Sequence, residues 1–127
     1  MKKIYLASPL FTEYERKKVQ SVASLLRASG FEVYVPMEHQ IEDAWSYPNA
    51  TWGRMVFEED VKAIRECDQV VCIYYGLYSD SGTAWECGFA YALGIPVKLI
   101  DESNDEVSLM MVNGSINASD FSGKNQT

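Results

Sequence analysis

The sequence predicts a single-domain α/β fold, a doubly wound parallel sheet of flavodoxin- or Rossmann-like type with helices on both faces, and three observations carry that expectation. Strand-like segments alternate with amphipathic helical ones, the pattern that right-handed crossovers convert into a parallel sheet. Gln69 to Tyr74 is an apolar run without polar alternation, as expected of a strand covered on both faces. Gly30 and Gly94 each end a helical pattern and are followed at once by a strand-like segment.

Taken in order, Lys2 to Ala7 reads as the first strand. Thr12 opens a helix with Glu15 three residues on, the signature of a capping box. That helix carries Val19, Val22, Ala23 and Leu26 on one side and stops at Gly30. Phe31 to Val35 is the second strand, ended by Pro36, and residues 37–51 form an irregular stretch with Trp45, Tyr47 and Pro48. Loops of that length in a compact domain tend to carry function. A second helix is expected from Trp52 to Glu66 with Phe57, Val61 and Ile64 as its buried line. The third strand, Gln69 to Tyr74, leads through a short aromatic loop into a helix that ends at Leu93, and Pro96 to Ile100 is the fourth strand.

At 127 residues the chain is long enough to bury a core without disulfides or metals. Its three cysteines, Cys67, Cys72 and Cys87, lack CxxC spacing, and His39 is its single histidine, so neither a zinc site nor a disulfide framework is expected and a cytoplasmic setting is. The basic and apolar N-terminus breaks at Ser8-Pro9, too early for a signal peptide, and no apolar stretch approaches the roughly 18 residues that span a membrane. A net charge of -7 with a pI near 4.6 argues against nucleic acid as a partner. There is no GxGxxG and no GxxxxGK[ST], so neither a dinucleotide nor a P-loop triphosphate site is supported, and no cofactor or metal is expected.

In such sheets ligands bind beyond the carboxyl ends of the strands. That rule gathers Ser8 to Phe11, Pro36 to Gln40 and Tyr75 to Gly82. The run Asp80-Ser81-Gly82-Thr83-Ala84-Trp85-Glu86 lies there, with two carboxylates around a turn between strand and helix. Glu86 falls on the core-facing stripe Gly82, Glu86, Phe89, Ala90 and Leu93, where a carboxylate is costly unless it is used. The competing reading is structural: Thr83 as N-cap, with Glu86 closing a capping box. Asp60 lies at the boundary of its own helix's apolar face, and Tyr5 is a strand tyrosine whose hydroxyl needs a partner if buried. Two carboxylates with a tyrosine at a sheet switch point suit glycosyl chemistry, one attacking the anomeric carbon and the other acting as acid toward the leaving group.

Ile4-Tyr5-Leu6-Ala7-Ser8-Pro9-Leu10-Phe11, the Asp60 helix, Asp80 to Glu86, Tyr91 to Val97 and Ser108-Leu109-Met110 together resemble, in that order, the nucleoside 2-deoxyribosyltransferase family. The resemblance runs from Lys3 to about Met111. It implies a family-like domain over residues 1–112; the segment 113–127 that follows is polar and on that composition is expected to be mobile. It also implies transfer of 2-deoxyribose between bases of 2'-deoxynucleosides by double displacement, with Glu86 as nucleophile, Asp60 moving the base proton and Tyr5 orienting Glu86. Glu86 is placed in the first helical turn, where the helix dipole favours its charge. Asp80, Gln40, Phe11, Gly82, Ser108 and Met110 are implied as substrate-binding positions, Ser108 and Met110 in a neighbouring subunit's site of a homo-oligomer. The partners implied are 2'-deoxynucleosides and free nucleobases.

Many relatives carry Asn where this chain has Ser108, and related deoxynucleoside-monophosphate hydrolases use serine there to hold phosphate. Those hydrolases also tend to have serine in place of Asp80, whose carboxylate would repel a phosphate, so a nucleoside is favoured over a nucleotide. Two alternatives stay open: an N-glycosidase acting on 2'-deoxynucleosides or their 5'-monophosphates, and a non-catalytic module that binds nucleotide derivatives.

Overall fold

The structure is a computed structural model and describes residues 2–78, 80–104 and 106–121. Its elements are β1 (Lys3–Ala7), α1 (Glu13–Ala28), β2 (Glu32–Tyr34), α2 (Asn49–Glu66), β3 (Gln69–Tyr74), α3 (Ser81–Ala92), β4 (Val97–Asp101) and α4 (Leu109–Asn113), with 3-10 turns at Pro36–Glu38, Ala44–Ser46 and Ala118–Phe121. The sheet order is β2-β1-β3-β4 and every pairing is parallel. The path runs outward from β1 to β2 and then back across to β3, so the switch point lies at the carboxyl ends of β1 and β3.

Strand alternation divides the core into two layers. Ile4, Leu6, Val33, Val71 and Ile73 pack against Val19, Val22 and Ala23 of α1. Tyr5, Ala7, Val70, Cys72 and Tyr74 point to the opposite face and meet Ile64 of α2 with Cys87 and Ala90 of α3. The same alternation that buries Leu6 under α1 therefore delivers Tyr5 beneath α2 and α3. All three cysteines are buried and free.

The expected local signals operate at α1, where the Thr12 side chain accepts from the Glu15 amide and the Glu15 carboxylate accepts from the Thr12 amide. Gly30 and Gly94 take positive φ values of 96° and 78° after their helices, a left-handed turn that side-chain-bearing residues enter at a cost.

Three expectations change. α2 begins at Asn49 rather than Trp52, and of its expected buried line only Ile64 is buried. Phe57 is 44% exposed because it faces Trp85 of α3 across a cleft, with ring centroids 5.3 Å apart, instead of facing the sheet. Residues 37–51 are not wholly irregular, since they contain part of one 3-10 turn, all of a second and the start of α2.

The polar segment after residue 112 is fastened to β4 as far as residue 121. The Ile116 amide donates to the Val97 carbonyl at 2.8 Å. The Asn117 side chain accepts from the Leu99 amide and donates to the Leu99 carbonyl, so it completes the free edge of β4 as a neighbouring strand would. Phe121 is buried with its ring edge-on to Tyr74. The Ile116 backbone amide, the Asn117 side chain and the Phe121 ring thus anchor a stretch whose composition reads as mobile; residues 122–127 lie outside the described residues. No helix among the described residues is long and apolar enough to cross a membrane.

Candidate active site

The decisive contact crosses the molecule from β1 to α3. Tyr5 is fully buried, and its hydroxyl donates to Glu86 Oε2 at 2.5 Å. The structural alternative for Glu86 is thereby excluded: the N-cap of α3 is Asp80, whose Oδ2 accepts from the Thr83 amide at 3.0 Å and from the Thr83 hydroxyl at 3.1 Å. Thr83 itself lies inside the helix and is buried. Because α3 starts at Ser81, Glu86 sits in its second turn, beyond the first-turn position from which the dipole acts most strongly.

Glu86, Gly82, Ser81 and Trp85 of α3 face Phe57, Asp60, Val61 and Ile64 of α2 across a cleft of about 410 Å³. Both carboxylates of the sequence-derived pair line it. Burial pushes Glu86 up from the ordinary 4.5 to about 7; the Tyr5 hydroxyl opposes this by stabilising the carboxylate, while the charges of Asp60 and Asp80 add to the rise. Burial likewise raises Asp60, from 3.8 to about 6, with help from Glu59 and against the Tyr34 hydroxyl and His39. Burial, with the charges of Glu86 and Asp60, holds the Tyr5 phenol firmly protonated, so it serves as a donor. Two carboxyls that change protonation near neutrality, facing one cleft, are what a reaction with a nucleophile and a proton carrier requires.

The aromatic wall was not read from the sequence. Trp85 lies against Phe57 and stacks on Phe89 at 5.2 Å, and Arg54 and Arg65 cover Phe57 and Phe89 respectively. Trp85 belongs to the most specific motif, but only the approach of α2 to α3 shows what it faces. Gly82 lines the cleft where an added Cβ would meet Asp80 Oδ2 at 3.2 Å. Phe11 and Gln40 are exposed and do not line this cleft. Ser108 caps α4, and Met110 is 86% exposed; both line a separate groove of about 480 Å³ on the other side of α3 with Cys87 and Tyr91. Among the described residues no three or more His, Cys, Asp or Glu side chains cluster so as to hold a metal ion.

The sequence profile of nucleoside 2-deoxyribosyltransferase matches residues 4–121, which takes in both carboxylates, Tyr5 and the β4 anchor. The chain belongs to the nucleoside 2-deoxyribosyltransferase family. It is 28% identical over 126 residues to a nucleoside deoxyribosyltransferase of Limosilactobacillus fermentum, covering 88% of this chain and 75% of that one. The solved 2-deoxyribosyltransferase of Bacillus psychrosaccharolyticus matches with a TM-score of 0.82 and 36% identity, over 89% of this chain and 82% of that one. A CMP N-glycosidase of Clostridium botulinum shares the fold at a TM-score of 0.60 and 24% identity, over 90% of this chain and 83% of the other. Family membership places this protein among enzymes of deoxyribosyl transfer, on a flavodoxin-like parallel sheet.

Proposed function

We propose that this protein exchanges the base of 2'-deoxynucleosides by double displacement at Glu86. The observation that carries the reading is the Tyr5–Glu86 hydrogen bond at the floor of a cleft whose opposite wall bears Asp60. A Glu86 carboxylate oxygen attacks C1' as the bond from C1' to the base nitrogen breaks, and protonated Asp60 gives its proton to the departing base. The deoxyribosyl ester on Glu86 then waits for a second base, whose nitrogen attacks C1', returns a proton to Asp60 and frees the carboxylate. The missing 2'-hydroxyl of the sugar eases charge development at C1', which makes retention through an ester chemically natural. Tyr5 holds the attacking oxygen in one position throughout.

The substrates are 2'-deoxynucleosides and free nucleobases. Phosphate is disfavoured because Asp80, next to the cleft, places negative charge close enough to raise Glu86. Phe11 and Gln40, exposed at the strand ends, are available to a bound base and sugar. Ser108 and Met110 serve a neighbouring subunit, since their groove has no residue in common with the cleft that holds Glu86. The enzyme therefore works as a homo-oligomer with shared sites, in nucleoside salvage within the cytoplasm.

The test is a chromatographic assay of 2'-deoxyinosine or thymidine with and without free adenine, repeated for Glu86→Ala. Formation of 2'-deoxyadenosine that requires Glu86, with a mass gain of one deoxyribosyl group on the protein when no acceptor is present, supports the proposal. Free sugar released at a rate indifferent to adenine replaces transfer by hydrolysis. Absence of turnover with nucleosides and 5'-monophosphates leaves a binding module.

A further inference from the structure

The base-exchange reading uses Glu86, Asp60 and Tyr5 but leaves the aromatic wall of their cleft without a role. Trp85 precedes Glu86 on α3 and lines the same cleft of about 410 Å³ as both carboxylates, a size within the roughly 300 to 1,000 Å³ of small-molecule sites. Helical spacing sets Phe89 one turn after Trp85 and Gly82 nearly one turn before it, both on its side of the helix. Phe89 stacks on the indole, 5.2 Å between centroids and 19° between planes, and so occupies one face of the ring. Toward the other face stands Gly82, which has no side chain to lay over the indole, and Trp85 remains 48% exposed. Phe57 of α2 flanks the indole at an inclination of 59°, with ring centroids 5.3 Å apart. Phe57 is steadied in turn by the guanidinium of Arg54, which lies over its ring and is paired with Glu58 at 2.8 Å. The indole is therefore backed by one ring, flanked by a second and open toward the start of α3.

We propose that Trp85 is the surface on which the base stacks and a specificity-determining residue of the exchange, favouring two-ring purines over one-ring pyrimidines. The inference rests on the base-exchange reading and names what selects the base. A flat ring laid on the indole lies between the helix that offers Glu86 to C1' and the helix that offers Asp60 to the base. Among the described residues the polar side chains lining the cleft are Asp60, Ser81 and Glu86, and the reaction engages two of the three. Ring area, rather than a set of hydrogen bonds to the base edge, is then what distinguishes one base from another. Stacking accepts every base, since each has a π-face, and a purine covers more of the indole than a pyrimidine does.

The experiment separates binding from turnover. Trp85 is one of three tryptophans, so a Trp45→Phe, Trp52→Phe protein reports on it alone. In that background Glu86→Gln blocks the reaction and keeps an acceptor for Tyr5, and saturating 2'-deoxyadenosine should quench the indole emission by roughly half as the base stacks. By calorimetry on Glu86→Gln, adding Trp85→Ala should weaken 2'-deoxyadenosine about 10-fold and thymidine about 3-fold, and Trp85→Phe should recover most of both losses. In turnover, Trp85→Ala should raise KM about 10-fold for adenine as acceptor and about 3-fold for thymine, with kcat within about 2-fold and the melting temperature retained. Equal losses for the two bases overturn the inference, since a merely structural role would weaken both alike. An emission that stays unquenched while calorimetry shows 2'-deoxyadenosine bound overturns it, and so does a Glu86→Gln protein that binds no 2'-deoxyadenosine. Quenching and the purine-selective loss in a parent protein that exchanges no base would establish the stacking surface and remove the base-exchange reading instead.

Discussion

Glu86→Gln tests whether the proposed nucleophile is held at the expense of the fold. Burial raises the Glu86 pKa to about 7 from an ordinary 4.5. The folded protein therefore binds this proton more tightly than the unfolded chain does. The contribution of Glu86 to stability is fully present below about pH 4.5 and is lost as the pH rises through about 7. At about 1.4 kcal/mol for each pH unit of separation, the loss has a ceiling of about 3 kcal/mol, a large share of the margin of a domain this size. Glutamine keeps an oxygen that accepts from Tyr5 and carries no charge, so it escapes the penalty. Urea denaturation at pH 4, 6 and 8.5 should find Glu86→Gln equal to the parent or slightly weaker at the lowest pH and more stable by about 2 to 3 kcal/mol at the highest. A variant that is less stable at pH 8.5, or a gap that does not widen between pH 4.5 and pH 7, would refute the reasoning.

Asp80 has two separable duties: Asp80→Ala should lose the α3 cap at about 1 kcal/mol, read as a fall of about 4 °C in melting temperature. Asp80→Asn should keep the cap and, by removing a charge that raises Glu86, shift the acidic limb of base exchange to lower pH. Phe121→Ala should destabilise the protein by about 3 kcal/mol in denaturation, because it empties a buried site beside Tyr74; a change under about 1 kcal/mol would show that residues 113–121 do not support the fold. Mixing inactive Glu86→Ala with an inactive Met110→Asp variant should restore about a quarter of parental activity if two-fold partners share sites, since each mixed dimer then contains one intact site. A mixture that assembles but stays inactive would place Met110 outside its neighbour's site.

Much of the fold was legible because its signals are local. The capping box at Thr12 and Glu15, the glycines after α1 and α3 and the apolar run of β3 each report on a few adjacent residues, and all occur where expected. Phe57 shows the limit of helical periodicity, which marks an apolar face but not what lies opposite it; here that is Trp85 and a cleft. The segment near Asn117 and Phe121 shows a second limit: average polarity counts residues, whereas docking depends on one amide pairing with Leu99 and one ring under Tyr74.

The sequence by itself determined the α/β class, the boundary position of Asp60 and the motif order that marks the family, because alternation and spacing along the chain carry each of these; the stripe expected to turn Glu86 inward is not the buried one, since α3 buries Thr83, Cys87 and Ala90 and leaves Gly82 and Leu93 exposed. Only the tertiary structure decided which of Asp80 and Thr83 caps α3, that the hydroxyl of Tyr5 meets Glu86, that both carboxyls titrate near neutrality and that Tyr34 stands beside Tyr5. Those facts depend on strand register, on the approach of α2 to α3 and on the water their packing excludes. Each is set by residues distant in the chain, and none has a period that a single segment can display.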